Sequence, residues 1–151
     1  MANILICDPI DEAGILMLKE AGHQVDLKTD ITPSDLVKVV GTYDAIVVRS
    51  RTKVTKKVLQ SGTPALKVVA RSGVGLDNVD METAQSIGIQ VINSAEAPSN
   101  AVAELVLGYK LTLARHISKA DACIKRGEWE KSRFTGFEIS GKTLGVVGFG
   151  R

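Results

Sequence analysis

Five short apolar runs, each separated from the next by a helix-forming stretch, limit what the first part of this chain can fold into. The runs span residues 2–7, 24–27, 45–48, 66–70 and 89–92. The first and third are apolar almost throughout, which is typical of strands that are buried on both faces of a sheet. Because strands that alternate with helices at this spacing pair in parallel, the pattern predicts an α/β fold with a flavodoxin-like, five-stranded parallel sheet.

The stretches between the runs carry helix start and stop signals. Asp11 and Asp80 are acidic residues placed to cap helices, and Thr32 stands before a proline at a first helical position. The first and fourth predicted helices end at Gly22 and Gly88. In sheets of this kind ligands bind beyond the carboxyl ends of the strands, so we expect the chemistry in the loops that follow them.

The pattern changes near residues 94–98, where we place a boundary between a domain of residues 1–97 and a second of residues 98–151. Residues from about 100 to 126 contain no proline and one glycine, which predicts a single long helix. Its first half is apolar almost all round, so we expect it to be buried on several sides. A buried strand is predicted at about residues 143–148.

The composition of the 151-residue chain disfavours several classes of function. Its net charge of +2 gives no general attraction to nucleic acid, and no apolar run is long enough to span a membrane. We predict no metal site, because no ligand cluster is present, and no catalytic role for His23 or His116. Cys7 and Cys123 are interpreted as reduced core residues of a cytoplasmic protein that starts without a signal peptide.

Three cations and two hydroxyl groups follow the third predicted strand, in the segment Arg49-Ser50-Arg51-Thr52-Lys53. A guanidinium group binds carboxylate or phosphate in a bidentate way, so this loop suits a small anionic substrate. The loop alone leaves open the alternative of a solvated basic loop without a ligand.

A glycine-containing loop follows the fourth predicted strand and runs from Arg71 to Asp80. Gly73 and Gly75 let the backbone approach a ligand closely and expose its N–H groups. A tight strand-to-helix turn capped by Asp80 is the structural alternative. Because loops after adjacent parallel strands share one edge of the sheet, we expect both loops to face one cleft, which favours binding.

The pair Gly148-x-Gly150 follows the last predicted strand. A strand that runs into such a turn is typical of the start of a dinucleotide-binding unit, although two glycines alone are a weak signal. The acidic residue that would contact the ribose is expected about twenty residues further on, so the sequence does not distinguish NAD from NADP.

In this order, the segments make the chain resemble the D-isomer-specific 2-hydroxyacid dehydrogenases over its whole length. The resemblance implies that residues 1–97 are a substrate-binding domain that closes like a lid, and that residues 98–151 begin a Rossmann nucleotide-binding domain. It is carried by Val48-Arg-Ser-Arg-Thr-Lys-Val-Thr55, Arg71-Ser-Gly-Val-Gly-Leu-Asp-Asn-Val-Asp80, Val102-Ala-Glu-Leu105, Gly127-Glu-Trp129 and Gly141-Lys-Thr-Leu-Gly-Val-Val-Gly-Phe-Gly-Arg151.

The resemblance also implies which residues bind substrate. Arg49 and Ser50 would hold the phosphate end of the substrate, and Arg71 would add positive charge to the same cleft. The backbone at Val74 and Gly75 would meet the substrate carboxylate.

For the cofactor, the resemblance implies NAD, with NADP not excluded. Val74 would lie near the nicotinamide, and Gly148, Gly150 and Arg151 would belong to the pyrophosphate turn.

The implied reaction is the NAD-dependent oxidation of a small D-2-hydroxy acid. The basic loop most resembles that of members acting on 3-phosphoglycerate, which they convert to 3-phosphohydroxypyruvate in serine biosynthesis. The family's catalytic arginine, glutamate and histidine lie past residue 151, so this chain is expected to be an N-terminal fragment that is inactive alone. A homodimer or higher homo-oligomer, with the long helix in its interface, is implied as well.

Three alternatives remain open on the sequence. Pro98 falls where many phosphoglycerate-oxidising members have a polar residue, which keeps a glyoxylate or hydroxypyruvate reductase type open. A non-catalytic, nucleotide-sensing corepressor-like relative would share the same segments. A phospho-acceptor domain built on Asp8 would need an aspartate where Arg49 stands.

Overall fold

The computed structural model describes residues 1–148 and Gly150. Two short 3₁₀ turns, Val40–Thr42 and Lys131–Phe134, supplement the regular elements. The strands and helices are, in chain order, β1 (Asn3–Ile6), α1 (Glu12–Glu20), β2 (Gln24–Leu27), α2 (Pro33–Val39), β3 (Ala45–Val48), α3 (Lys56–Gly62), β4 (Val68–Arg71), α4 (Met81–Ser86), β5 (Gln90–Asn93), α5 (Ser99–Arg115) and α6 (Ile117–Lys125).

The five strands form one parallel sheet in the order β2-β1-β3-β4-β5. This order confirms the predicted flavodoxin-like sheet. The connection from β1 to β2 and that from β3 to β4 lead in opposite directions, so the strand order reverses between β1 and β3. Ligands of doubly wound sheets bind at this switch point, beyond the carboxyl ends of the two strands.

The helix caps form where the sequence predicts them. The Asp11 side chain accepts a hydrogen bond from the Ala13 N–H, and Thr32 Oγ1 accepts one from the Asp35 N–H at 3.2 Å. Asp80 caps α4 in the same way. Each cap gives a partner to a backbone donor that the helix itself leaves unpaired, which fixes where the helix begins.

The main core lies between one face of the sheet and helices α2, α3 and α4. Both cysteines are free and buried, as predicted. Burial, followed by the neighbouring Asp8 charge, raises the pKa of Cys7 to about 12, so this thiol stays protonated. The fully buried members of the core include Leu5, Ile46, Val48 and Val69 from the strands and Leu36, Val58 and Leu59 from the helices.

The chain divides into two compact units, residues 1–97 and 98–151. The prediction of one continuous helix over residues 100–126 was wrong. His116 takes a left-handed conformation with φ of 56° and separates α5 from α6. The physical reason is a competing partner, since the Ala114 carbonyl at the end of α5 accepts a hydrogen bond from the Phe137 N–H at 3.0 Å.

Two further expectations for the second unit differ from the structure. Residues 143–148 form no strand, because no neighbouring strand in the described chain pairs with their backbone groups. The apolar residues of α5 are exposed, and Ala114 is its one buried residue. No helix among residues 1–148 is long and apolar enough to cross a membrane.

Candidate functional site

The loops that follow β3 and β4 lie against each other at the carboxyl edge of the sheet. The Ser72 N–H donates to the Val48 carbonyl at 2.8 Å, and the Val54 N–H donates to the Asn78 carbonyl at 2.8 Å. Val54 and Val79 form a parallel bridge outside the regular strands. The structure therefore brings together the arginine loop, residues 49–53, and the glycine loop, residues 71–80.

Asp8 lies beside the arginine loop, directly beyond the end of β1. Its side chain is 1% exposed, and it accepts four hydrogen bonds, all from the arginine loop. Burial alone would raise its pKa, but the hydrogen bonds from the Arg49 N–H, the Thr52 hydroxyl and the Arg51 guanidinium outweigh burial and lower the pKa of Asp8. Asp8 is therefore an ionised carboxylate at the switch point of the sheet.

The contacts of Asp8 divide the arginine loop into held and free groups. Arg51 donates through Nε to Asp8 at 2.9 Å and through Nη2 to the carbonyls of Cys7 and Thr29. The Thr52 hydroxyl donates to Asp8 at 2.9 Å and is buried. The Arg51 guanidinium and the Thr52 hydroxyl, which the sequence analysis counted as anion-binding, thus bind Asp8 instead.

Arg49 and Ser50, the residues predicted to hold the phosphate end of a substrate, are both exposed. The one hydrogen bond of the Arg49 side chain within the described chain is a long one, from Nη1 to the Pro9 carbonyl at 3.4 Å. A guanidinium group and a hydroxyl group therefore stand at the switch point with donor capacity for an anion.

The glycine loop presents its backbone to solvent. Within the described residues, the N–H groups of Val74 and Gly75 donate no hydrogen bond, and Val74 is 47% exposed. The loop is fixed from β5, since Asn93 Nδ2 donates to the Val74 carbonyl at 2.6 Å and the Ser94 N–H donates to the Gly73 carbonyl at 3.1 Å. Two free amide donors in a fixed loop suit a carboxylate.

Arg71, at the end of β4, lies against the glycine loop. Gly73 has φ of 145°, and a Cβ atom there would come within 1.7 Å of the Arg71 Nη1 atom. A glycine is therefore required at this position for the guanidinium group to pack on the backbone. Arg71 Nε is buried and has no hydrogen-bond partner among the described residues, so a bound anion would supply a missing acceptor.

Of the residues predicted for the pyrophosphate turn, the structure describes Gly148 and Gly150. Gly148 has φ of 83°, but the residues before it form no strand that would present a turn. Arg151 lies outside the described residues, and Val74 is placed in the glycine loop as described above. Over residues 1–148 and 150, no three His, Cys, Asp or Glu side chains group to hold a metal ion.

Sequence reasoning missed two residues that shape this site. Asp8 was considered only as a phospho-acceptor, and the structure shows its carboxylate buried and fully engaged by the arginine loop. Asn93 was not considered as a support of the glycine loop. Both are polar residues at the carboxyl end of an apolar strand, which is the signal that identifies them. His23 serves the fold, since its Nδ1 accepts from the Ala2 N–H at 3.2 Å.

Curated relatives match the whole chain. It is 47% identical over 151 residues to a D-3-phosphoglycerate dehydrogenase from Methanocaldococcus jannaschii, and it spans 28% of that protein's length. It is 41% identical over 148 residues to a hydroxypyruvate reductase from Thermotoga maritima and spans 48% of that protein. The chain therefore corresponds to half or less of each of these relatives.

Solved structures share the fold. D-2-hydroxyisocaproate dehydrogenase superposes with a TM-score of 0.82 at 27% identity, covering 99% of this chain and 47% of that one. A cofactor (NAD+)-bound 3-phosphoglycerate dehydrogenase from Entamoeba histolytica gives a TM-score of 0.63 at 28% identity, covering 76% of this chain and 39% of that one.

Residues 4–144 match the model of the family described as "D-isomer specific 2-hydroxyacid dehydrogenase, catalytic domain". Because this match covers most of the chain, the protein belongs to the D-isomer specific 2-hydroxyacid dehydrogenase family.

Proposed function

We propose that the protein oxidises a small D-2-hydroxy acid with a second anionic group, foremost 3-phosphoglycerate to 3-phosphohydroxypyruvate in serine biosynthesis, and that residues 1–97 bind this substrate. The observation that carries the proposal is the contact between two donor-rich loops at the carboxyl edge of the sheet. One loop offers the exposed Arg49 and Ser50, and the other offers the free N–H groups of Val74 and Gly75. This pairing suits a molecule with an anionic group at each end.

The assignment of ends follows from the chemistry of the donors. Arg49 matches a phosphate because a guanidinium group gives charge-assisted, bidentate hydrogen bonds. The N–H groups of Val74 and Gly75 match a carboxylate, and Arg71 adds charge beside them. The 47% identity to a D-3-phosphoglycerate dehydrogenase supports a phosphorylated substrate.

For the cofactor we propose NAD, which would accept the hydride from the substrate. NADP is the alternative cofactor. The Entamoeba histolytica structure with bound NAD+ supports this choice. Val74, Gly148, Gly150 and Arg151 are the residues of this chain that would lie near the cofactor, as the resemblance implies. A cytoplasmic location and a homodimer or higher homo-oligomer belong to the same proposal, as does the absence of nucleic-acid and membrane partners.

The exposed apolar residues of α5 support an oligomer. Leu105 is 53% exposed, Leu107 55% and Leu113 75%, and a surface of this kind marks an interaction site in a folded protein. Sedimentation of the chain over a dilution series measures this directly, and a monomer at all concentrations would contradict it.

Titration of the isotope-labelled chain with 3-phospho-D-glycerate, followed by NMR, tests the substrate assignment. We expect amide shifts at Ser50, Val74 and Gly75, and an affinity about tenfold lower for Arg49→Ala, the loss typical of one charge-assisted contact. Lys67→Ala is the matched control, since Lys67 is an exposed cation just before β4, at the opposite edge of the sheet. Equal effects of the two variants, or shifts scattered over the surface, would contradict the proposal.

A second candidate is the reduction of an unphosphorylated substrate such as hydroxypyruvate. The 41% identity to a hydroxypyruvate reductase favours it, as does Pro98 at the connector. Tighter binding of D-glycerate than of 3-phospho-D-glycerate would select this candidate. A non-catalytic, corepressor-like relative would be supported by replacement of the family's catalytic arginine, glutamate and histidine past residue 151, and their presence there would argue against it.

A further inference from the structure

We propose that Asp8 and Asn78 together form a clasp that positions Arg49 and Ser50 for the phosphate end of the substrate. The proposal rests on the proposed function of these two residues. Asp8 and Asn78 come from different strand-end loops, and both are buried against the arginine loop, at 1% and 5% exposure. Both side chains are buried and bonded to the arginine loop, with Asn78 Oδ1 left without a hydrogen-bond partner among the described residues, so we assign them the role of positioning residues.

Asp8 fixes the donors of the arginine loop. Its Oδ2 atom accepts from the Arg49 N–H at 2.6 Å and from the Thr52 N–H at 3.2 Å. Its Oδ1 atom accepts from the Thr52 hydroxyl and the Arg51 Nε, each at 2.9 Å. Two N–H groups that are three residues apart thus converge on one carboxylate, which curls the intervening backbone around Asp8.

Asn78 fixes the acceptors of the same loop. Its Nδ2 donates to the Arg49 carbonyl at 2.6 Å and to the Thr52 carbonyl at 2.8 Å. The two ends of the four-residue turn, Arg49 and Thr52, therefore have both backbone N–H and C=O groups bound by side chains from outside the loop. Ser50 lies between the two fixed ends with its side chain exposed.

The clasp also assigns the charges of the arginine loop. Arg51 pairs with the Asp8 carboxylate and reaches the carbonyls of Cys7 and Thr29, so these groups offset its charge although its side chain is 52% exposed. Arg49 contributes only its backbone N–H to Asp8. The charge of Arg49 is therefore left for a ligand, and Asp8, whose pKa lies below its already acidic ordinary value, is ionised at neutral pH.

The clasp supports only one of the two substrate ends. The side chains of Asp8 and Asn78 bind the arginine loop, whereas the Gly73 and Val74 carbonyls are bound by Ser94 and Asn93. Loss of the clasp should therefore weaken binding of the phosphate end and leave binding of the carboxylate end unchanged. A general loss of folding would weaken both ends together.

The test compares two ligands and three variants of the full chain by NMR titration. We expect Asp8→Asn and Asn78→Ala each to weaken 3-phospho-D-glycerate binding about tenfold and to change D-glycerate binding less than about twofold. Asp44→Asn is the matched control, because Asp44 accepts a single backbone N–H, that of Asn3, at the opposite edge of the sheet. It should bind both ligands as the unaltered chain does.

A readout without ligand tests the clasp separately from the proposed function. Amide exchange at Arg49 and Thr52 should accelerate in Asp8→Asn and stay unchanged in Asp44→Asn. If Asp8→Asn does not fold, Thr52→Val removes one donor to Asp8 and takes its place.

Each outcome has one meaning. Normal 3-phospho-D-glycerate binding by Asp8→Asn and Asn78→Ala, while Arg49→Ala is impaired, would overturn the clasp and keep the proposed function. Equal weakening of both ligands would also overturn the clasp, since it would show a general structural role. No effect of Arg49→Ala itself would overturn the proposed function, and the exchange rates would then show whether the clasp exists as a fold element alone.

Discussion

Replacing Asp8 by alanine should destabilise the first unit by about 3 kcal/mol, more than most single substitutions do. The change removes a carboxylate that is 1% exposed and accepts four hydrogen bonds. The N–H and hydroxyl groups of Thr52, which is 8% exposed, lose their acceptor, and Arg51 loses its counter-charge.

The magnitude follows from burial. Breaking a fully buried ion pair costs about 3–5 kcal/mol, because the remaining charge is left unpaired. The Arg51 side chain is 52% exposed, so water compensates part of its lost partner and the lower end of that range applies. Against a typical stability of about 5–15 kcal/mol for a domain, a loss of this size shifts the unfolding midpoint clearly.

Urea unfolding followed by the NMR signals of β1 and β3 measures the effect on the first unit alone. Asp44→Ala is the control, since Asp44 accepts one hydrogen bond at 2.7 Å and should lose only about 0.5–1.5 kcal/mol. If the free energies of unfolding of the two variants differed by less than about 0.5 kcal/mol, the view of Asp8 as a buried, fully engaged carboxylate would be refuted.

Acidification should destabilise the first unit through Asp8. The pKa of Asp8 in the folded state lies below its ordinary value of 3.8. The stability that Asp8 contributes is therefore complete above pH 3.8 and is lost as the pH falls through the folded-state pKa. The urea midpoint of the unaltered chain should therefore fall more steeply below about pH 4 than that of Asp8→Asn, and parallel curves would contradict this. In the second unit, Gly136→Ala should destabilise by about 1–3 kcal/mol, because overpacked sites must shift and the new Cβ would come within 2.1 Å of the Ala114 carbonyl oxygen. Amide exchange at Phe137 should accelerate in Gly136→Ala, and an unchanged rate would refute this prediction. Gly108→Ala should instead stabilise α5 by about 0.5–1 kcal/mol, because its Cβ meets nothing within 4 Å.

The first unit was predictable because its signals are local. Strands β2 and β3 lie at the predicted residues, and caps such as Thr32 and Asp80 set the helix starts. A buried strand is recognised from a continuous apolar run, and a helix cap from a side chain that lies close in sequence to the N–H group it accepts from. Both signals therefore depend on residues that are neighbours in the sequence. The parallel order of the sheet then follows from the helical connections.

The second unit was less predictable because its outcome depends on distant partners. Nothing near His116 predicts a helix end, since the competing donor is the Phe137 N–H from another segment. Residues 143–148 have the composition of a strand, but a strand forms only when adjacent backbone pairs with it. Local composition predicts a preference, and tertiary pairing decides whether the preference is realised.

The sequence by itself determined the parallel sheet, the loops that carry the candidate site and the family. Only the tertiary structure decided how the loop cations divide, with the Arg51 guanidinium paired with Asp8 and the Arg49 side chain exposed with one long hydrogen bond to the Pro9 carbonyl. The two arginines are chemically equivalent and two residues apart, so composition and spacing cannot separate them. What separates them is a buried carboxylate 41 residues from Arg49 in the chain, which folding brings to the switch point between β1 and β3.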